Sequence, residues 1–232
     1  MNDTRGTILI VEDDAQIRKF LRISLEAHHY LIHEARLAET GLELCASVQP
    51  DLVILDMGLP DMDGQQFILR LREWSQVPII VLSVRASETG KVEALDAGAN
   101  DYVTKPFGIS ELMARIRVVM RSKEWAASTP TVFESNGLTV NLAQREVSVD
   151  DRVVHLSKKE YELLRMLITL PGQVLTHQQI LREIWGPGRL HETHHLRVLV
   201  GQLRNKFGDD PASPRFIITV QGVGYRLALP VE

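Results

Sequence analysis

The stretch Asp51–Gly64, DLVILDMGLPDMDG, decides the fold: four apolar residues, Leu52-Val53-Ile54-Leu55, run straight into the carboxylate of Asp56 and then into turn formers. A short apolar run bounded by Asp51 on one side and by Gly58 and Pro60 on the other predicts a strand buried on both faces, as inside a parallel sheet. Open parallel sheets bind ligands beyond the carboxyl ends of their strands, near the point where strand order reverses. Asp56 is therefore expected at a working position.

Three further runs end on polar groups. Ile8-Leu9-Ile10-Val11 leads into Glu12-Asp13-Asp14, Ile79-Ile80-Val81-Leu82 into Ser83, and Asp101-Tyr102-Val103-Thr104 into Lys105-Pro106. Tyr30–Ala35 adds an edge-like strand. Helical stripes alternate with the strands: Ile17, Phe20, Leu21 and Leu25; Ala38–Val48; Phe67, Ile68 and Leu71; Val92 and Leu95; Leu112, Ile116 and Val119. This alternation predicts a doubly wound, five-stranded parallel α/β domain. If the first and third strands are neighbours, several carboxylates converge, and two of them about 4 Å apart repel by about 4 kcal/mol at an effective dielectric near 20. Such a cluster protonates or binds a cation, and an open, oxygen-only ligand set suits Mg²⁺. Taken singly, Asp56 could merely begin a turn and the Glu12–Asp14 run merely cap a helix. Four strand tips offering acid, acid, hydroxyl and ammonium argue for a shared site.

That set, in that order, resembles the receiver domain of two-component response regulators over about Thr7–Arg121. The resemblance implies Asp56 as phosphoacceptor; Glu12, Asp13, Asp56 and the backbone carbonyl of Gly58 as Mg²⁺ ligands; and Ser83 and Lys105 as partners of the phosphoryl oxygens. It implies that Tyr102 turns inward when Ser83 is drawn to the phosphoryl group. It also implies a homodimer on phosphorylation, formed through a face carrying Lys91, Asp96, Asp101, Glu111, Arg115 and Arg117. The receivers of this family carry Lys-Pro with a cis peptide, whereas the sequence alone leaves the Lys105-Pro106 isomer open. Asp61 and Asp63 are read as turn and cap residues.

At 232 residues the chain suits two domains. The expected division is 1–121 receiver, 122–130 linker where SKEWAASTP loses periodicity, and 131–232. No run of 18 or so uncharged apolar residues occurs, so a cytosolic protein with no membrane partner is expected. The single cysteine, Cys45, rules out an internal disulfide and falls on a packing stripe. Residues 1–122 hold 13 Lys/Arg against 18 Asp/Glu, and residues 123–232 hold 13 against 12. Bulk charge therefore cannot argue for nucleic-acid binding, which must rest on where the cations sit.

From Thr131 the texture changes to short alternating strands (Val132-Phe133, Leu138–Val140, Glu146–Val149, Val153–Leu156), predicting a small antiparallel sheet. Ser157 with Glu160 and Thr176 with Gln179 are capping boxes opening two helices. A third helix, Thr193–Phe207, ends at Gly208, a typical C′ glycine. A hairpin around Gln221-Gly222-Val223-Gly224 follows. This α+β layout resembles the winged-helix DNA-binding domain of the OmpR/PhoB class, most specifically through Gly222-Val223-Gly224-Tyr225-Arg226. The resemblance implies a third helix in the major groove of double-stranded DNA. Expected contacts are His194, His195, Arg197, Gln202, Arg204 and Asn205, with Tyr225 and Arg226 supporting the wing. His191, His194 and His195 come with no Cys or clear second ligand group and are not read as a zinc site.

Together these features predict a DNA-binding transcription regulator, not an enzyme. A sensor histidine kinase phosphorylates it, it pairs on tandem half-sites by avidity, and it acts on RNA polymerase. One rival is a Mg²⁺-dependent phosphohydrolase with an aspartyl-phosphate intermediate, but no second acid is placed as general acid. A nucleotide- or flavin-binding domain is opposed by the acidic, glycine-free loop after the first strand.

Overall fold

The computed structural model describes residues 4–84, 87–128 and 131–228. The chain divides into two compact units, Met1–Met120 and Arg121–Glu232.

The first unit alternates β1 (Thr7–Val11), α1 (Ala15–Glu26), β2 (Leu31–Ala35), α2 (Ala38–Val48), β3 (Leu52–Asp56), α3 (Gly64–Arg72), β4 (Ile79–Ser83), α4 (Glu88–Ala97), β5 (Asp101–Thr104) and α5 (Ile109–Ser128). All five strands are parallel in the order β2-β1-β3-β4-β5, so strand order reverses between β1 and β3. The apolar runs of β3 and β4 are buried on both faces, as their lack of alternation requires. Leu21 and Leu25 of α1 pack with Leu112, Ile116 and Val119 of α5 against Ile8, Ile10, Leu52, Ile54 and Leu82. On α2, Gly41 lets the helix approach Val11 and Phe67 so closely that a Cβ would stand about 3 Å from both. Cys45 lies in this core, and burial pushes its thiol pKa up to about 12, consistent with a packing role.

Local chemistry fixes the helix starts. Asp14 caps α1 by accepting the Gln16 and Ile17 N–H groups, and Asp63 caps α3 by accepting that of Gln65. Asp61 caps a helix from a distance: it accepts the N–H groups of Ala38 and Glu39, supplying α2 with the cap that Leu37 cannot. In the segment 122–130, expected as the linker, α5 continues to Ser128, with 129–130 outside the described residues. Lys, Glu and Ala are strong helix formers and extend a helix without an apolar stripe.

The second unit opens with an antiparallel sheet, β6 (Val132–Ser135), β7 (Leu138–Asn141), β8 (Glu146–Val149) and β9 (Arg152–Val153), in that order. Three helices follow: α6 (Lys158–Thr169), α7 (His177–Trp185) and α8 (Thr193–Phe207). Both capping boxes are formed, Ser157 with Glu160 and Thr176 with Gln179. A second sheet orders β10 (Leu175–Thr176), β12 (Gly224–Leu227) and β11 (Ile217–Val220). The β11–β12 hairpin is the wing. Gly224 sits so close to β10 that a side chain there would collide with the Leu175 carbonyl.

Candidate functional site

The register Ile10↔Ile54 and Val11↔Leu55 brings the tips of β1 and β3 side by side, so Glu12 and Asp13 meet Asp56. One carboxylate oxygen from each of the three lies within 4.8 Å of the others. Glu12 and Asp56 are buried and Asp13 is exposed, so the cluster has a dry floor and an open rim. The tip of β5 adds the ammonium of Lys105, whose Nζ donates to Asp56 Oδ1 at 2.6 Å and to Glu12 Oε2 at 2.8 Å. The peptide Lys105-Pro106 is cis. Ser83 and Tyr102, both buried, line a cavity of about 350 Å³ together with Asp56, Gly58 and Lys105. Gly58 meets Asp56 through its N–H, which donates to Oδ2 at 3.1 Å.

Three carboxylates and one ammonium leave an excess of negative charge in a largely buried place. Burial pushes the Glu12 carboxyl above its ordinary range, against the hydrogen bond from Lys105. Burial alone would depress Lys105, but its hydrogen bonds to Asp56 and Glu12 outweigh that and raise it. Both shifts mark a site short of positive charge, and its oxygen-only, half-open ligand set fits a hard divalent cation that keeps some of its water.

Residues expected on one pairing face stand on α4, β5 and α5. Arg115 donates to both oxygens of Asp101, at 2.9 and 3.0 Å, and to Glu111 at 2.8 Å. Lys91 Nζ is 5.9 Å from the centre of the Tyr102 ring. Arg117 is exposed on the same helix as Arg115, and Asp96 is half-buried on α4.

In the second unit, His194, His195, Arg197, Gln202 and Asn205 are all exposed on α8. His194, Arg197, Gln202 and Asn205 fall at helical spacing on one outward face. Sequence reasoning missed Val198 at the middle of that face, 44% exposed, beside Gly201, where a Cβ would have nothing within 4 Å. The signal was available: an apolar residue on the polar side of the stripe.

Arg204 requires correction as a contact residue. Arg204 is buried, with Nη2 donating to the carbonyl of Ile217 at 2.6 Å and to Thr219 Oγ1 at 3.0 Å, and Nε 3.8 Å from Asp209. Asp209, also buried, accepts the N–H groups of Arg215, Phe216 and Ile217. The pair ties the end of α8 to β11, because a buried guanidinium must find acceptors. Tyr225 is buried edge-on against His177, and Arg226 is half-buried beside it.

Two protein-family matches fall one in each unit. Residues 8–117 match the response regulator receiver domain, and residues 151–227 match the C-terminal domain of transcriptional regulatory proteins. The chain is similar to the KDP operon transcriptional regulatory protein KdpE of Escherichia coli (strain K12), 47% identical over 222 residues that cover 96% of this chain and 99% of that protein. It is 44% identical over 220 residues to the transcriptional regulatory protein KdpE of Mycobacterium tuberculosis (strain H37Rv), covering 94% of this chain and 97% of that one. Among solved structures, the receiver domain of the Francisella response regulator 1452 is similar at 29% identity and a TM-score of 0.50, over 51% of this chain and 99% of its own. No helix among the described residues is long and apolar enough to cross a membrane.

Proposed function

Because this chain belongs to the response-regulator family that joins a receiver domain to a C-terminal transcriptional regulatory domain, we propose that Asp56 accepts the phosphoryl group that switches it on. It is a phosphorylation-activated, DNA-binding regulator of transcription, not an enzyme, and its operon is of the kdp, potassium-transport kind. The observation that carries the assignment is the ammonium of Lys105 held between Asp56 and Glu12 at a strand-order switch point.

The donor is a phosphohistidine on a sensor histidine kinase. An Asp56 oxygen attacks phosphorus as the N–P bond breaks, and the departing imidazole nitrogen keeps the electron pair. Glu12, Asp13, Asp56 and the Gly58 carbonyl would hold Mg²⁺, which supplies positive charge to the transferring oxygens when bound. Lys105 and Ser83 take the remaining phosphoryl oxygens. The donor must arrive beside Lys105, where Ile17, Phe20, Val84, Pro106 and Phe107 form an apolar groove open to a docking kinase. Tyr102 is already inward, buried in the same cavity as Ser83, and a shift of Ser83 toward the phosphoryl group would hold it there. Asp101, Glu111 and Arg115 then exchange internal partners for those of a second copy, with Lys91, Asp96 and Arg117 joining the same face.

Pairing raises DNA affinity because the second winged helix binds at high effective concentration. The outward face of α8 enters the major groove, and the bound dimer acts on RNA polymerase. The test is a footprint on the protein's own upstream region, with and without acetyl phosphate and Mg²⁺. Protection of two adjacent half-sites should appear with both and vanish in Asp56→Ala. A footprint indifferent to both additions would overturn the phosphorylation switch.

A further inference from the structure

Arg18, on the second turn of α1, plays no part in the chemistry described above, yet its side chain is only 15% exposed. A guanidinium that far from water needs acceptors. The acceptors it uses are informative. Nη1 donates to the backbone carbonyl of Glu12 at 2.7 Å and to that of Asp13 at 3.1 Å, the peptide oxygens of the two residues whose carboxylates meet Asp56. Its nearest carboxylate is on neither of them: Nε lies 3.8 Å from Glu34 on β2, which Arg22 also approaches at 3.4 Å.

We propose that Arg18 is a positioning residue for the divalent-cation site, fixing the two consecutive peptide planes from which the Glu12 and Asp13 carboxylates project. The proposal rests on the assignment of those acids to Mg²⁺. Gripping two successive carbonyls sets the orientation of both planes and hence the direction in which Asp13, the exposed member, points. Binding carbonyls rather than carboxylates matters equally. The cluster gains rigidity, and Arg18 takes none of its acidic oxygens. Glu34 braces the far side of the guanidinium from the neighbouring strand.

Outer partners that orient metal ligands typically change affinity by about 10–100-fold when removed. Selectivity supplies a sharper mark. Mg²⁺ demands near-ideal octahedral geometry, whereas Ca²⁺ accepts flexible, irregular shells, so a loosened loop costs Mg²⁺ more than Ca²⁺. Calorimetric titration of the full chain with each cation tests this. Arg18→Met should bind Mg²⁺ at least about tenfold more weakly and Ca²⁺ within about threefold of the parent. Arg18→Lys, which keeps the charge and a donor group without the planar fork, should recover part of the loss, and Glu34→Gln should lose less in the same sense. Unchanged Mg²⁺ affinity in Arg18→Met, or an equal fall for both cations, overturns the positioning role. If Arg18→Met does not fold, the same selectivity change in Arg18→Lys and Glu34→Gln decides. A parent protein that takes up neither cation overturns the metal assignment itself, a result separable from the other two.

Discussion

Replacing Lys105 with methionine should make the first unit depend on a divalent cation for stability. At an effective dielectric near 20, two carboxylates no more than 4.8 Å apart repel by about 3 kcal/mol or more. The Lys105 ammonium, in contact with Asp56 and Glu12, offsets that repulsion. Methionine keeps much of the stem and removes the charge, leaving two buried acids uncompensated, a change that typically costs about 3–5 kcal/mol. The same ammonium competes with a metal for Glu12 and Asp56. Removing charge-assisted hydrogen bonds worth about 1.5–3 kcal/mol should therefore tighten Mg²⁺ binding by about tenfold or more. At a hundredfold excess over its Kd, a ligand adds about 2.7 kcal/mol of stability. Hydrogen exchange of the β1, β3 and β4 amides reads the opening free energy of this unit in the full chain. Lys105→Met should lose most of that protection in EDTA and regain more than half in saturating Mg²⁺, whereas the parent, binding about tenfold more weakly, starts from full protection and gains only about 1.4 kcal/mol at the same Mg²⁺ concentration. Equal loss in EDTA and in Mg²⁺, or Mg²⁺ binding no tighter than in the parent, would refute the reasoning.

Other perturbations test the second unit. Lys206 Nζ and the Ser157 N–H both donate to buried Glu160, tying the last turn of α8 to the start of α6. Burial alone would raise that carboxyl, but these bonds outweigh it and hold its pKa below the ordinary 4.5. The stability it contributes is therefore present above pH 4.5 and lost as pH falls through the lower folded value. Acid titration of unfolding should show this slope in the parent, and Glu160→Gln should flatten it. Gly224→Ala drives a methyl into the Leu175 carbonyl and should destabilise the unit by about 4 kcal/mol or more, read as loss of exchange protection in β10 and β12. Arg204→Met should weaken binding to all DNA sequences about equally, because it loosens the wing and removes no base contact; altered preference at a single base pair would count against this placement. Val198, an apolar side chain among polar ones on the outward face of α8, is suited to a thymine methyl group. Replacing one thymine of the footprint by uracil should weaken the parent about fourfold, from roughly 0.8 kcal/mol per buried methyl, and leave Val198→Ala unaffected.

The sheet was legible because burial leaves a one-dimensional trace. Leu52–Leu55 and Ile79–Leu82 cannot alternate when both faces are covered, and their terminal polar residues mark the strand tips. The meeting of Glu12, Asp13 and Asp56 followed once two tips were neighbours. Less visible were contacts that cross between elements without a local signature. Asp61 looks like a turn residue and caps a helix 22 positions earlier. Arg204 reads as one more cation on a DNA-facing helix, since only the wing strand packed against it shows why it turns inward. Arg18 sits beside an apolar stripe like any solvated arginine, and its two carbonyl partners become apparent only when the loop after β1 folds back over the helix. The extension of α5 was hidden for the opposite reason: periodicity marks helices with an apolar stripe, and the residues after Arg121 carry none in sequence although Lys, Glu and Ala favour helix. Sequence therefore exposes acids and hydroxyls gathered by the sheet, because the sheet's geometry is regular. The cations that hold those groups in place are set by packing across elements, and their variants separate a site that is merely assembled from one that is oriented.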